Sequence, residues 1–158
     1  MVAASSESIV FSVVALDHPD VRLLEDRYKA EMTDRYGGPP GPVPVEHFEP
    51  PHGAFVLAVL DDLPVACGGF RFLRSQVAEI KRMYVDPTVR GRGLGRRLLA
   101  FIEQQAAAAS YSQLWLETGT EQPEAMALYT SAGYRLMDPY GEFKDDPRSR
   151  CFYRTLAP

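Results

Sequence analysis

The 158-residue sequence has few of the residues that mark several common classes of protein. It contains two cysteines and three histidines. Cys67 and Cys151 are too few for a disulfide framework and lack metal-ligand spacing, and the histidines share no common spacing. The sequence therefore predicts no metal site and favours a reducing, cytoplasmic setting.

The chain also lacks a long apolar run and an excess of positive charge. Its first apolar run, residues 9–16, is too short to cross a bilayer, and no basic segment precedes it. We therefore expect no membrane association and no secretion. The formal net charge is −4, which gives the chain as a whole no electrostatic reason to bind nucleic acid. The same charge mildly favours a cationic partner.

The length and apolar content are those of one ordinary globular domain. With 46% hydrophobic residues, a chain of this size can bury about two thirds of the surface that its unfolded form exposes. We therefore expect residues 1–158 to form a single domain. Residues 1–8 are small and polar and are expected to be a disordered tail.

Hydrophobic periodicity predicts a mixed α/β order. Helical spacing covers residues 19–36, 94–109 and a segment from Pro123 to a cap at Gly133. The short links between the second, third and fourth strands imply an antiparallel meander, and the strand, helix and strand that follow form a βαβ unit. Strand-like runs are found at residues 9–16, 54–60, 65–73, 77–85, 114–117, 134–137 and 151–156.

One basic, glycine-rich segment stands out against the acidic average. The predicted strand ending at Val85 leads into Arg90-Gly91-Arg92-Gly93-Leu94-Gly95-Arg96, which opens the next helix. Unpaired N–H groups and the positive end of the helix dipole converge there, so a phosphate group is the natural ligand. Glycines let a phosphate approach the backbone and permit the positive φ values that a nest of N–H groups needs. An ordinary arginine-rich turn is the alternative.

Spacing decides among the phosphate-binding motifs. A P-loop needs Gly-Lys-Ser/Thr after its spacer, and the chain has none; a dinucleotide fingerprint needs a third glycine where Arg96 stands. Arg90-x-x-Gly93-x-Gly95 resembles the Q/R-x-x-G-x-G/A signature of the GNAT superfamily of acyltransferases. Residues 122–134, which contain Leu128-Tyr129 and end in Gly133-Tyr134, resemble a second motif of that family. The resemblance extends over most of the chain.

The resemblance implies a fold and a cosubstrate. The fold would be a mixed, mostly antiparallel sheet of about six or seven strands flanked by about four helices. Acetyl-CoA would lie with its diphosphate on the glycine turn and its pantetheine arm beside the strand around Met83. Gln122 departs from the usual asparagine, but its amide can still reach the pantetheine. The implied cofactor-binding residues are Met83, Tyr84, Val85, Arg90, Gly91, Arg92, Gly93, Leu94, Gly95, Arg96 and Gln122.

The same resemblance implies two catalytic residues. Tyr129 matches the tyrosine that protonates the departing thiolate, and a phenol with a pKa near 10 is protonated at neutral pH. Its alternative role is that of a half-buried core aromatic. Glu79 matches a carboxylate that deprotonates the incoming ammonium, directly or through water; the alternative is an ion pair with Lys81 or Arg82. A strand N–H near Met83 would meet the oxyanion.

The predicted function is acetyl transfer to a primary amine of a small molecule, amino acid or peptide by direct attack. Two alternatives remain: an acyl-CoA sensor without turnover and an unrelated nucleotide-binding module. The residues leave the identity of the amine and the formation of a homodimer open. Acceptor-side candidates are Tyr36, His47, Phe48, Phe70, Phe72, Arg82, Tyr140, Phe143, Lys144, Arg148 and Arg150.

Overall fold

A computed structural model describes residues 8–157 as a seven-stranded sheet with helices on both faces. The strands are β1 (Ile9–Val14), β2 (Ala54–Leu60), β3 (Leu63–Arg74), β4 (Val77–Val85), β5 (Gln113–Gly119), β6 (Arg135–Met137) and β7 (Ser149–Thr155). Their order is β1-β2-β3-β4-β5-β7-β6. All neighbours are antiparallel except β4 and β5. The mixed, mostly antiparallel sheet confirms the predicted fold class.

The described residues contain three α-helices rather than about four: α1 (Pro19–Tyr36), α2 (Leu94–Ala108) and α3 (Pro123–Ser131). Two short 3-10 turns, Val45–Phe48 and Pro87–Val89, complete the helical structure of this part of the chain. The first turn lies in the Pro/Gly loop, where the sequence indicated no regular element. It forms because Phe48 is buried edge-on against Phe55, with ring centroids 5.5 Å apart, and so anchors the loop.

Two apolar clusters separate the faces of the sheet. Leu98 and Ile102 of α2 pack with Ile80 and Leu116 on one face. The other face packs against α1 through a smaller cluster that includes Leu24. The expected disordered tail lies outside the described residues except for Ser8, whose N–H donates to the Asp61 carboxylate at 3.2 Å.

The pairing of β4 with β3 is irregular near Arg82. Cys67 pairs with Tyr84 and Gly69 with Lys81, so two residues of β4 oppose Gly68 alone. This is a β-bulge, and Arg82 within it has a φ of 63°. A Cβ atom on Gly68 would lie 2.8 Å from the Met83 sulfur, so a larger residue there would force the Met83 side chain to move. Because of the bulge, the backbone N–H and C=O groups of β4 after Lys81 point in different directions from those of a regular strand.

Strands β4 and β5 are parallel but separate along their length. Among the described residues, their pairing ends at Ile80 and Leu116. β4 continues to Val85 and β5 to Gly119, and β5 stays paired with β7. A wedge-shaped gap therefore opens at the carboxyl ends of the two strands, and one edge of β4 faces it.

The end of β4 is fixed by the Asp86 side chain. Its carboxylate accepts hydrogen bonds from the Thr88 N–H (3.0 Å) and hydroxyl (2.7 Å) and pairs with Arg27 of α1 at 2.6 Å. Burial acts to raise the pKa of Asp86, but the Thr88 hydrogen bonds and the Arg27 charge outweigh it, so the pKa lies below its ordinary value of 3.8. The ionised carboxylate is the form that stabilises the fold.

We expect Asp86→Ala to destabilise the protein at pH 7 by about 2 kcal/mol, through loss of a cap and a charge-assisted pair. A lowered folded-state pKa contributes stability above the unfolded value that is lost as pH falls through the folded one. The deficit should therefore shrink at pH 2.5, measured by urea unfolding. Asp86→Asn, which keeps an accepting oxygen, should lose less at pH 7; an equal Asp86→Ala deficit at both pH values would contradict this role.

Candidate active site

The glycine turn between β4 and α2 has the geometry of an anion-binding site. Gly91 and Gly93 have φ values of 81° and 78°, and Gly93 is the N-cap of α2. The positive φ values at these two positions are those that the sequence predicted, and such conformations allow neighbouring N–H groups to converge on an anion. Gly95 has a different role, since it is helical and a Cβ there would lie 3.3 Å from Leu128 of α3. It allows α2 and α3 to pack closely.

A cleft of about 370 Å³ begins at this turn and follows the exposed edge of β4 towards α3. All the predicted cofactor-binding residues line this cleft except Arg92, which belongs to the same turn. The structure thus brings together residues that are up to 39 positions apart, from Met83 to Gln122. The predicted residues in the lining are Met83, Tyr84, Val85, Arg90, Gly91, Gly93, Leu94, Gly95, Arg96 and Gln122.

Arg90 is held by the protein itself. Its guanidinium donates to the Val85 carbonyl at 2.9 Å and to the Glu31 carboxylate at 2.8 Å. Burial acts to raise the pKa of Glu31, but the contacts with Arg90 and Arg35 outweigh it and the pKa is lowered. In this state, backbone N–H groups rather than the Arg90 side chain are the donors that the turn offers to an anion.

Gln122 is oriented at the junction of β5 and α3. Its side-chain oxygen accepts hydrogen bonds from the Tyr36 hydroxyl at 3.0 Å and from the Thr118 hydroxyl at 3.4 Å. Because the oxygen is occupied, the amide NH₂ is the group that Gln122 can offer to a ligand. Gln122 lines the cleft, and its contact with a pantetheine arm stays a prediction.

Tyr129 lies at the inner end of the cleft. It is 6% exposed and packs against Tyr134 at 5.8 Å and Phe152 at 6.4 Å between ring centroids. Burial raises the pKa of Tyr129, and the nearby Tyr28 adds to the effect. The phenol is therefore held in its protonated form. Tyr129 is thus a buried core aromatic that also lines the cleft, and its role as the acid stays a prediction.

A second, narrower cleft of about 170 Å³ lies across the gap between β4 and β5. It shares Tyr28, Met83, Gln122 and Tyr129 with the first cleft, so the two meet at the gap. Its charged lining residues are Glu79, Lys81, Arg82, Glu117 and Glu142.

The structure places Glu79 in this lining, but with its carboxylate already engaged. Glu79 is 4% exposed and accepts from Arg71 at 2.8 and 2.9 Å and from the Tyr140 hydroxyl at 2.7 Å. Lys81, the ion-pair partner suggested by the sequence, lies at 3.6 Å. Arg71 is the main partner because strand pairing sets it directly opposite Glu79.

Arg82 has a structural position rather than an open acceptor-side one. Its buried guanidinium donates to Glu25 of α1 at 3.3 Å and to the Gly41 carbonyl, and lies over the Tyr28 ring at 5.3 Å. The residue thus connects the β4 bulge, α1 and the Pro/Gly loop. The expected pairing of Arg82 with Glu79 is not formed among these contacts.

Sequence reasoning missed Glu117, near the end of β5. It is half-buried and lines the 170 Å³ cleft as well as a third cleft of about 340 Å³. Burial raises the pKa of Glu117 despite the opposing charge of Lys81. One available signal was its place at the carboxyl end of a parallel strand, where α/β sheets form their sites.

The sequence of the chain is also similar to that of a known protein family. Residues 21–134 match the model of the Acetyltransferase (GNAT) family. The chain belongs to this family and is an acetyltransferase.

Two curated GNAT relatives show the extent of the similarity. The chain is 38% identical over 133 residues to "IAA acetyltransferase" of Azospirillum brasilense, covering 80% of this chain and 87% of that protein. It is 29% identical over 107 residues to the uncharacterised N-acetyltransferase YsnE of Bacillus subtilis, covering 66% of this chain and 71% of that protein.

Solved structures share the GNAT fold. A protein of Klebsiella pneumoniae assigned as an acyl-CoA N-acyltransferase superposes with a TM-score of 0.82 at 26% identity, covering 94% of this chain and 98% of that one. A family member from Elizabethkingia anophelis with acetyl-CoA bound gives a TM-score of 0.69 at 20% identity, over 94% and 98% of the two chains. The second likeness shows the fold alone.

The remaining acceptor-side candidates are distributed unevenly. Tyr36, Phe143 and Arg148 line the third cleft, and Tyr140 covers Glu79. Phe48 and Phe70 are core residues instead. Within residues 8–157, none of the helices has the length and apolar character to cross a membrane, and no three His, Cys, Asp or Glu side chains are grouped to hold a metal ion.

We expect Gly93→Ala to weaken acetyl-CoA binding at least ~10-fold in calorimetric titration, since a lost N–H alignment worth about 1.4 kcal/mol has that effect. Its backbone strain should also cost about 1–2 kcal/mol of stability. Gly133→Ala is the matched control: Gly133 has a φ of 92° and lines none of the three clefts. Equal loss of affinity in both variants would show that strain, not the turn, is responsible.

Proposed function

We propose that this GNAT acetyltransferase transfers an acetyl group from acetyl-CoA to a primary amine of a small molecule, amino acid or peptide by direct attack. One observation carries the proposal: a continuous cleft joins the glycine turn to Tyr129 along the gap between β4 and β5. The cleft has an anion site at one end and a buried proton donor at the other.

The residues of the cleft fit acetyl-CoA. The diphosphate would accept hydrogen bonds from the N–H groups of residues 91–96, at the positive end of α2. The pantetheine arm would lie along Met83, Tyr84 and Val85, where β4 no longer pairs with β5 and its edge has backbone donors and acceptors to share. The amide NH₂ of Gln122 would bond the same arm.

The site then supplies groups for each part of the transfer. A deprotonated amine attacks the thioester carbonyl, and the C–N bond forms as charge collects on the carbonyl oxygen. Turned N–H groups at the bulge near Met83 would stabilise that oxyanion. Tyr129, kept protonated by burial, would donate its proton to the departing thiolate as the C–S bond breaks. Glu79 as the base stays a prediction.

Solved relatives support the choice of cosubstrate. In addition to the Elizabethkingia protein, an aminoglycoside 6'-N-acetyltransferase complexed with coenzyme A superposes with a TM-score of 0.72 at 17% identity, over 94% of this chain. Names such as IAA acetyltransferase describe the relatives that carry them. The acceptor of this chain is proposed here only as a primary amine.

We expect Tyr129→Phe to lower turnover by about 10²-fold or more, because the leaving thiolate loses its acid. Thiol release from acetyl-CoA in the presence of amine measures this. Tyr134→Phe is the matched control, since it removes a buried phenol hydroxyl of the same aromatic cluster that bonds Glu103 and lines none of the clefts. Turnover of Tyr129→Phe equal to wild type would remove Tyr129 from the mechanism.

The function itself is tested by an amine panel. Phenylethylamine, putrescine, the common amino acids and a dipeptide are incubated with acetyl-CoA, and thiol release is followed. We expect amine-dependent release with at least one member. Acetyl-CoA binding without any release would favour the acyl-CoA sensor, and binding of ATP in place of acetyl-CoA would favour the nucleotide-binding module.

A further inference from the structure

We infer that Glu117 of β5, rather than Glu79, binds the ammonium group of the acceptor and takes its proton. This inference rests on the proposed N-acetyl transfer. It concerns a residue that the sequence motifs did not identify, and it follows from the positions and partners of the two carboxylates.

Glu117 lies where the two halves of the site meet. Pairing of β4 with β5 ends at Leu116, so Glu117 is the first residue of β5 beside the open gap. It lines the 170 Å³ cleft together with Met83 and Tyr129, the residues assigned to the oxyanion and the leaving thiolate. It also lines the 340 Å³ cleft bounded by Tyr36, Phe143 and Arg148. An amine with its body in the larger cleft would place its ammonium next to Glu117.

Glu79 is poorly placed to take a proton. Its two carboxylate oxygens are both occupied: one accepts from Arg71 and the other from the Tyr140 hydroxyl. Taking a proton at Glu79 would require breaking buried hydrogen bonds, which is costly. The structure therefore assigns Glu79 to holding Tyr140 against β4.

Several groups around Glu117 act on its pKa. Burial raises its pKa, with Lys81 lowering it, Glu79 raising it, a Ser149 hydrogen bond lowering it and Glu142 raising it. A base works best when its pKa lies closer to the working pH. The titratable and charged groups facing Glu117 or sharing its clefts are Tyr28, Tyr36, Glu79, Lys81, Arg82, Tyr129, Tyr140, Glu142, Asp146, Arg148 and Cys151.

The proton balance of the step is complete. The acceptor arrives as R–NH₃⁺ and gives one proton to the Glu117 carboxylate, which later releases it to water. The resulting amine attacks the thioester carbon, the C–N bond forms and the C–S bond breaks. The thiolate receives the Tyr129 proton, and the second proton lost by the nitrogen restores Tyr129. The products are the N-acetyl amine, CoA–SH and one proton in solution.

The test compares pH profiles of kcat/KM for wild type and Glu117→Gln, using the amine of the panel that wild type acetylates fastest. We expect Glu117→Gln to lose at least about 10²-fold at pH 7. Because only free amine can then react, the deficit should shrink steadily as pH rises towards 9.5. Glu117→Asp should recover part of the activity, and acetyl-CoA affinity should stay within about 2-fold of wild type.

Two variants serve as controls. Glu142→Gln removes the same charge from the same cleft; because Glu142 raises the pKa of Glu117, this variant should move the profile slightly to lower pH and show no deficit that shrinks as pH rises. Glu79→Gln tests the competing base. A pH-independent loss in Glu117→Gln, or a wild-type profile there with a pH-dependent loss in Glu79→Gln, would overturn the assignment and leave N-acetylation standing. No amine-dependent release by wild type would overturn both.

Discussion

Parallel strands β4 and β5 pair only as far as Ile80 and Leu116 within the described residues, and the space beyond that point is where the site is built. Backbone groups on the free edge of β4 need hydrogen-bond partners, and an extended ligand with amide groups can provide them. The bulge at Arg82 turns β4 just before this edge, and the strand ends at a helix N-terminus. Under the proposed function, this one strand geometry would supply an oxyanion donor, hydrogen-bond partners for the cosubstrate arm and an anion site.

Several charged side chains around the gap between β4 and β5 are held in ion pairs, so they are less available to a substrate. Arg90 is paired with Glu31, Arg71 with Glu79 and Arg82 with Glu25. Each pair joins β3, β4 or the turn after β4 to another element, so these charges hold the walls of the site in place. Glu117 takes part in none of these three pairs, and burial raises its pKa. Both Glu79 and Glu117 line the 170 Å³ cleft, so their positions alone do not show which of them is the base. The residues that bind each carboxylate distinguish the two.

Local patterns in the sequence were sufficient for the fold class, the element order and the glycine turn. Gly91 and Gly93 adopt the expected left-handed conformations because that requirement is carried by the residues themselves. Features that depend on strand register could not be predicted from the sequence. The contact of Arg71 with Glu79 follows from cross-strand pairing, and the bulge at Arg82 places a positive φ on a residue type that gives no warning of it. The pairing of Arg90 with Glu31 joins residues 59 positions apart.

Under the proposed function, backbone amides at the mouth of α2 hold the diphosphate of acetyl-CoA while its pantetheine arm occupies the free edge of β4. A crystal structure of the protein with coenzyme A bound tests it most directly. The diphosphate should lie within hydrogen-bonding distance of the N–H groups of residues 91–96, with the arm between β4 and β5 and the sulfur near Tyr129. Coenzyme A bound elsewhere on the molecule, or with its diphosphate away from this turn, would contradict it.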